Sequence, residues 1–169
     1  KGIGALYIKT GVKIKPLIRG GAQEGGMRAG TEAMPQIAAF GKAAEIAFSG
    51  MKDNCDTMAS LRALAMSTIC ADIPEAQIIG GGAPHILSVS LPGWRSEVLM
   101  NFLEAEGIYV SRSSACKKGG RSHVLEAMRL PAQVIDGAIR VSFSRYNTED
   151  DVLALCSALK RAHDTLAHR

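Results

Sequence analysis

Cys116 stands among small, polar and cationic residues in the stretch Val110-Ser111-Arg112-Ser113-Ser114-Ala115-Cys116-Lys117-Lys118-Gly119-Gly120-Arg121-Ser122-His123. Arg112, Lys117, Lys118 and Arg121 all lie within five positions of the sulfur. Nearby cations favour thiolate over thiol, and the thiolate is the nucleophile. A free cysteine with pKa about 8.5 is only a few per cent ionised at neutral pH. Each exposed cation a few ångströms away adds roughly 1 kcal/mol or less. Two or three together raise the thiolate fraction several-fold, which predicts a moderately activated thiol on an open loop. The plainer alternative is an ordinary surface cysteine beside a basic loop.

Two further stretches carry chemistry. Five glycines fall between Arg19 and Thr31, and this loop feeds a helical pattern with Thr31 placed as its N-cap. A glycine-rich loop running into a helix N-terminus offers free N–H groups and a favourable dipole to an anion. A flexible surface loop is the alternative. Arg140 interrupts the apolar run Gly137-Ala138-Ile139-Arg140-Val141-Ser142-Phe143-Ser144. A guanidinium on a half-buried strand needs an anionic or polar partner. Asp136, Glu149 and Asp150 are the ion-pair candidates within the chain. His85 opens a strand and reads as structural.

The elements that must position these residues follow from periodicity. Strands are expected over residues 2–9, 75–80, 86–91, 107–111 and 137–144. Helices are expected over 31–48, 53–70, 96–106 and 122–128, and from Thr148, an N-cap with acidic first-turn residues, nearly to the end. Apolar positions predict the buried faces: Ile37, Phe40, Ala44, Ile46 and Ala47 in the first helix, Met58, Leu61, Leu64, Ala65 and Ile69 in the second. Val98, Leu99, Phe102 and Leu103 form the face of the third. Val152, Leu153, Leu155, Leu159, Ala162 and Leu166 form that of the last. Cys116 thus lies on a connection between a strand and a short helix, where rigid neighbours can present it.

Composition narrows the class. The 169 residues are 47% hydrophobic and 21% charged, which suffices for one good core or two small ones. A net charge of +4, with no motif that reads RNA or DNA, argues against nucleic acid. Cys55, Cys70, Cys116 and Cys156 show no paired metal spacing, and no metal is expected. Cys55, Cys70 and Cys156 fall in helical stretches and read as buried small hydrophobes. A reducing cytoplasm is the natural compartment. No apolar run reaches membrane-spanning length, and the start is not a signal peptide. The chain opens in mid-strand, so a fragment of a longer protein is expected.

Ser113-Ser114-Ala115-Cys116 followed by Ser122-His123-Val124-Leu125-Glu126-Ala127-Met128 resembles the catalytic segment of the NifS-like cysteine desulfurases. These are pyridoxal 5'-phosphate (PLP) enzymes of the class V aminotransferase family. Gly20-Gly21-Ala22-Gln23-Glu24 with Arg28-Ala29-Gly30-Thr31 is similar to that family's cofactor-phosphate loop, and the Arg140 strand is similar to its substrate-binding strand. The sequence departs from the pattern at Ser113, Ala22 and Gly25, where glycine, glycine and arginine are usual, and at Ala29, where serine is. Its connection from Cys116 to His123 is shorter and lacks a proline.

The resemblance implies an α+β fold, near α/β, of fold-type I. Residues 1–50 would be a remnant of the large PLP-binding domain. Residues 51–169 would be a small C-terminal domain of helices on a mostly antiparallel sheet, carrying the cysteine loop. It implies PLP as cofactor, its covalent lysine lying outside this chain. Cys116 would be the catalytic persulfide carrier, Arg140 would bind the carboxylate of L-cysteine, and Thr31 would contact the cofactor phosphate across a homodimer. Sulfur would pass to an acceptor protein such as an Fe-S scaffold or a tRNA-thiolation enzyme. A selenocysteine lyase, another class V aminotransferase, and a non-catalytic sulfur-relay or docking module are the alternatives.

Overall fold

The structure, a computed structural model, describes residues 2–112 and 121–166. The chain divides into two compact units, Lys1–Met51 and Lys52–Arg169.

The first unit holds a glycine-rich loop and one helix. A short 3-10 turn, Gln23–Gly26, folds the loop on itself. Gly25 and Gly26 take positive φ, 63° and 79°, which glycine adopts without a Cβ penalty. The Ala29 N–H donates to the Ile18 carbonyl at 3.3 Å, and Ala29 is buried. Helix α1 runs Met34–Ser49, with Pro35 in its first turn where no N–H is needed. Its N-cap position is Ala33, with no side-chain cap, so Thr31 does not cap it as the sequence predicts. No residue of α1 is buried, so the face expected from Ile37 to Ala47 is not covered within the described residues of the first unit. Residues 2–9 form no strand. An extended segment becomes a strand only by pairing its N–H and C=O groups with a neighbour, and none of the described residues 2–51 supplies one.

The second unit is α+β. Helix α2, Met51–Asp72, leads into β1, Gln77–Ile79, and β2, Ile86–Ser90. Helix α3, Ser96–Ala105, follows, then the short β3, Ser111–Arg112. Helices α4, His123–Ala127, and α5, Ala132–Asp136, precede β4, Ala138–Ser142, and α6, Glu149–Thr165, closes the unit. The sheet order is β1-β2-β4-β3, and every pairing is antiparallel.

Alternation decides which side of the sheet faces the core. Leu87 and Val89 of β2 and Ile139 and Val141 of β4 point into one cluster. Leu61, Ala65 and Ile69 of α2, at successive i, i+4 positions, meet them there, with Leu99 and Leu103 of α3 and Leu155 and Leu159 of α6. Val98 and Leu153, expected inward, are exposed, because each sits beside the buried stripe of its helix and not on it. Cys156 is buried in this core, and burial pushes its thiol up to about 11. Cys70 is exposed and Cys55 half-exposed, contrary to the sequence expectation. Cys70 follows the buried Ile69 by one residue, which turns it about 100° off the apolar stripe.

Helix ends are well specified. Thr148 and Asp151 form a reciprocal capping box at the start of α6. Ser122 Oγ accepts the Leu125 N–H at the start of α4. Among the described residues no helix is long and apolar enough to cross a membrane.

Candidate active site

The second face of the sheet carries the polar members of the alternation. Arg140 stands in the middle of β4, between Ala138 and Ser142. Its register partners are Ser88 on β2 and Ser111 on β3, so one polar row crosses three strands. The neighbouring Ser90 is satisfied, its hydroxyl donating to the Val134 carbonyl at 2.6 Å. Arg140 Nε and Ser88 Oγ are not: both are buried with no hydrogen-bond partner among the described residues.

The ion pair that could have explained Arg140 is made by another residue. Arg121 forks onto Asp136, Nε to Oδ1 at 2.7 Å and Nη2 to Oδ2 at 2.8 Å. That fork holds the Asp136 carboxyl below the usual carboxylate range. Among the described residues Arg140 makes no salt bridge with Glu149 or Asp150. Arg145 packs over the Tyr146 ring, 4.8 Å from its centroid. A buried guanidinium atom with no acceptor is costly unless something binds there.

Cys116, with Ser113 to Gly120, lies outside the described residues. The segment leaves the sheet at Arg112, whose register partner is Ile139, next to Arg140. It returns at Arg121, which is tied to Asp136. Both anchors therefore belong to the strand and helix around Arg140. Two of the four cations counted from the sequence have carboxylate partners: Arg112 pairs with Glu97 at 2.9 Å and Arg121 with Asp136. Their pull on a thiolate is correspondingly reduced, and the sequence argument for activation rests on Lys117 and Lys118.

Thr31 belongs to the first unit and is exposed. Its hydroxyl and N–H are both unused among the described residues. Gly30 beside it has φ 124° and donates its N–H to Gln23 Oε1 at 3.3 Å. A hydroxyl and a free N–H at the end of a glycine loop are a donor set suited to a phosphate. His85 serves through its backbone, its carbonyl accepting the Phe143 N–H at 2.8 Å.

The sequence reading names Arg140 and Thr31 as candidates and does not single out Ser88 or Ser111, which the register sets opposite Arg140. The signal was present in part, since Ser88 is the polar step in the alternation of β2. The register that sets it opposite Arg140 is not written in either strand alone.

The chain belongs to the aminotransferase class-V family, whose model matches residues 1–155. Within the family it is similar to the cysteine desulfurase IscS of Methanosarcina thermophila, 40% identical over 157 residues, covering 90% of this chain and 39% of the relative. The cysteine desulfurase IscS of Clostridium botulinum is 40% identical over 159 residues, covering 90% of this chain and 40% of the relative. A solved structure of a NifS-like protein superposes with TM-score 0.81 at 37% identity, over 95% of this chain and 42% of that one. A NifS-like protein from Rickettsia africae gives TM-score 0.78 at 25% identity, over 91% and 41%. The chain thus spans well under half the length of the relatives it matches.

Proposed function

We propose that this chain is part of a PLP-dependent cysteine desulfurase that moves sulfur from L-cysteine to Cys116 and releases alanine. The observation that carries the reading is the buried Nε of Arg140, without a partner among the described residues, with Asp136 already taken by Arg121. Similarity to proteins named cysteine desulfurase supports the same conclusion.

The residues divide the work. Arg140 forks onto the substrate carboxylate, a geometry that charge-assisted bidentate hydrogen bonds favour. Thr31 would hold the phosphate of the partner subunit's cofactor with its hydroxyl and N–H. When bound, PLP supplies an electron sink next to the substrate carbon. The Cys116 thiolate forms a bond to the substrate sulfur while the C–S bond breaks. The electron pair of that bond stays with the carbon fragment, which takes up a proton and leaves as alanine. Cys116 is left as a persulfide, which passes to an acceptor protein in a compartment that keeps thiols reduced. In this reading the first unit belongs to the cofactor domain of a homodimer and the second is the small domain.

Arg140→Lys in the full-length protein tests it. Lysine keeps the charge and loses the fork. Use of L-cysteine is expected to fall roughly thirtyfold, about 2 kcal/mol, with PLP affinity unchanged. Unchanged substrate use with lowered stability makes Arg140 a structural residue instead.

A further inference from the structure

We propose that Ser88 is a second anchor for the substrate carboxylate, donating its hydroxyl to one carboxylate oxygen while Arg140 binds the group through its guanidinium. This deepens the desulfurase reading and rests on it.

Three observations carry it. Ser88 and Arg140 are direct register partners on β2 and β4, so their side chains leave the same face of the sheet. Opposed Cβ atoms in an antiparallel pair are about 4.5–5.5 Å apart, close enough for one small ligand to touch both. Ser88 Oγ and Arg140 Nε are each buried and each without a partner among the described residues. Ser90, two residues along on the same face, shows that this structure satisfies a buried hydroxyl where the fold allows: it bonds the Val134 carbonyl. Among the described residues Ser88 has no such carbonyl partner.

The guanidinium is donor-only and the hydroxyl can donate beside it, and neither atom has a partner among the described residues, so the pair can serve one acceptor group. The planar guanidinium fork matches the two coplanar oxygens of a carboxylate, the group that the desulfurase reading supplies. A third, lateral hydrogen bond from Ser88 fixes the rotation of that carboxylate about its bond to Cα. It thereby sets the direction in which the substrate sulfur projects. Ser88 is a positioning residue for the sulfur and a binding residue for the carboxylate.

The test uses the full-length enzyme with its cofactor. Ser88→Ala removes the donor at little cost in volume. KM for L-cysteine is expected to rise roughly tenfold to a hundredfold, the effect of one hydrogen bond to a charged group, with PLP affinity unchanged. Ser88→Thr keeps the hydroxyl and is expected to restore most of the loss. L-cysteinamide, which lacks the carboxylate, is expected to show little difference between wild type and Ser88→Ala. An unchanged KM with only a lowered Tm, or an equal penalty with L-cysteinamide, overturns the role of Ser88 and leaves the desulfurase reading standing. Failure of the wild type itself to release alanine from L-cysteine overturns that reading, and this one with it.

Discussion

Arg121 and Asp136 are joined by two parallel hydrogen bonds of 2.7 and 2.8 Å, which tie the return of the 113–120 segment to the end of α5. Asp136 precedes β4 by two residues, so the same fork holds the approach to Arg140. The pair lowers the pKa of Asp136 through the Arg121 hydrogen bond. A lowered folded-state pKa contributes stability that is complete above the unfolded value, about 3.9, and is lost as pH falls through the folded value. Asp136→Asn is therefore expected to flatten the acid limb of the stability profile below pH about 4. Both side chains are substantially exposed, so the change is small at neutral pH. Denaturant midpoints measured against pH check it; an acid limb identical to wild type removes the pair from the account.

Helix α4 ends in a Schellman motif without the usual glycine. The Leu130 N–H donates to the Leu125 carbonyl and the Arg129 N–H to the Glu126 carbonyl, while Leu130 packs with Leu125. Arg129 holds the left-handed position with φ 57°. A non-glycine residue there costs roughly 1–2 kcal/mol. Arg129→Gly is expected to stabilise the protein by about 1 kcal/mol, a gain partly offset by glycine's larger unfolded-state entropy. Urea unfolding of the full-length variant measures it, and a loss of stability contradicts the motif.

Gly137 lies where β4 begins, against the chain leaving β2. A Cβ there would stand 2.1 Å from the Leu91 carbonyl oxygen. That obstacle is backbone, held by the Leu91 N–H donating to the Gly137 carbonyl at 3.3 Å, so it cannot swing aside. Gly137→Ala is expected to cost about 1–3 kcal/mol, the range for forcing atoms into a filled core. The same urea series reads it, and a neutral result means that the two strand ends separate easily.

His163 on α6 stacks on Trp94 with ring centroids 4.8 Å apart and bonds the Asp164 and Glu75 carboxylates. The Asp164 hydrogen bond first, and that of Glu75 next, raise its pKa. A raised folded-state pKa gives stability that is complete below the unfolded value, about 6.5, and fades as pH rises through the folded value. The protein is expected to be more stable at pH about 6 than at pH about 8, and His163→Gln to abolish the difference. Thermal melts across that range decide it; a slope unchanged in His163→Gln assigns the dependence to other groups.

Much of the second unit was legible because its signals are local. Ile86–Ser90 alternates as a half-buried strand must, and Thr148 with Asp151 announces the start of α6. Arg140 stood out as a charge inside an apolar run. Three things were not legible. Residues 2–9 have strand composition, but a strand also needs a partner. Helix α5, Ala132–Asp136, is too short to show a period. The Arg121 to Asp136 fork and the Ser88 to Arg140 register join residues far apart in sequence, and neither is encoded in the local pattern of either member. Cysteine burial misled for a related reason, since helical residues adjacent to an apolar stripe, such as Cys70, read like members of it.

The central claim is that Cys116 takes sulfur from L-cysteine. Alkylation alone does not single it out, because Cys70 is also exposed. Peptide mass analysis of the full-length, PLP-loaded protein after one turnover with L-cysteine tests the claim directly. The account predicts one extra sulfur on the peptide containing Cys116, alanine released in equal amount, and neither in Cys116→Ser. Alanine formed with sulfur on Cys55, Cys70 or Cys156, or no alanine at all, contradicts it.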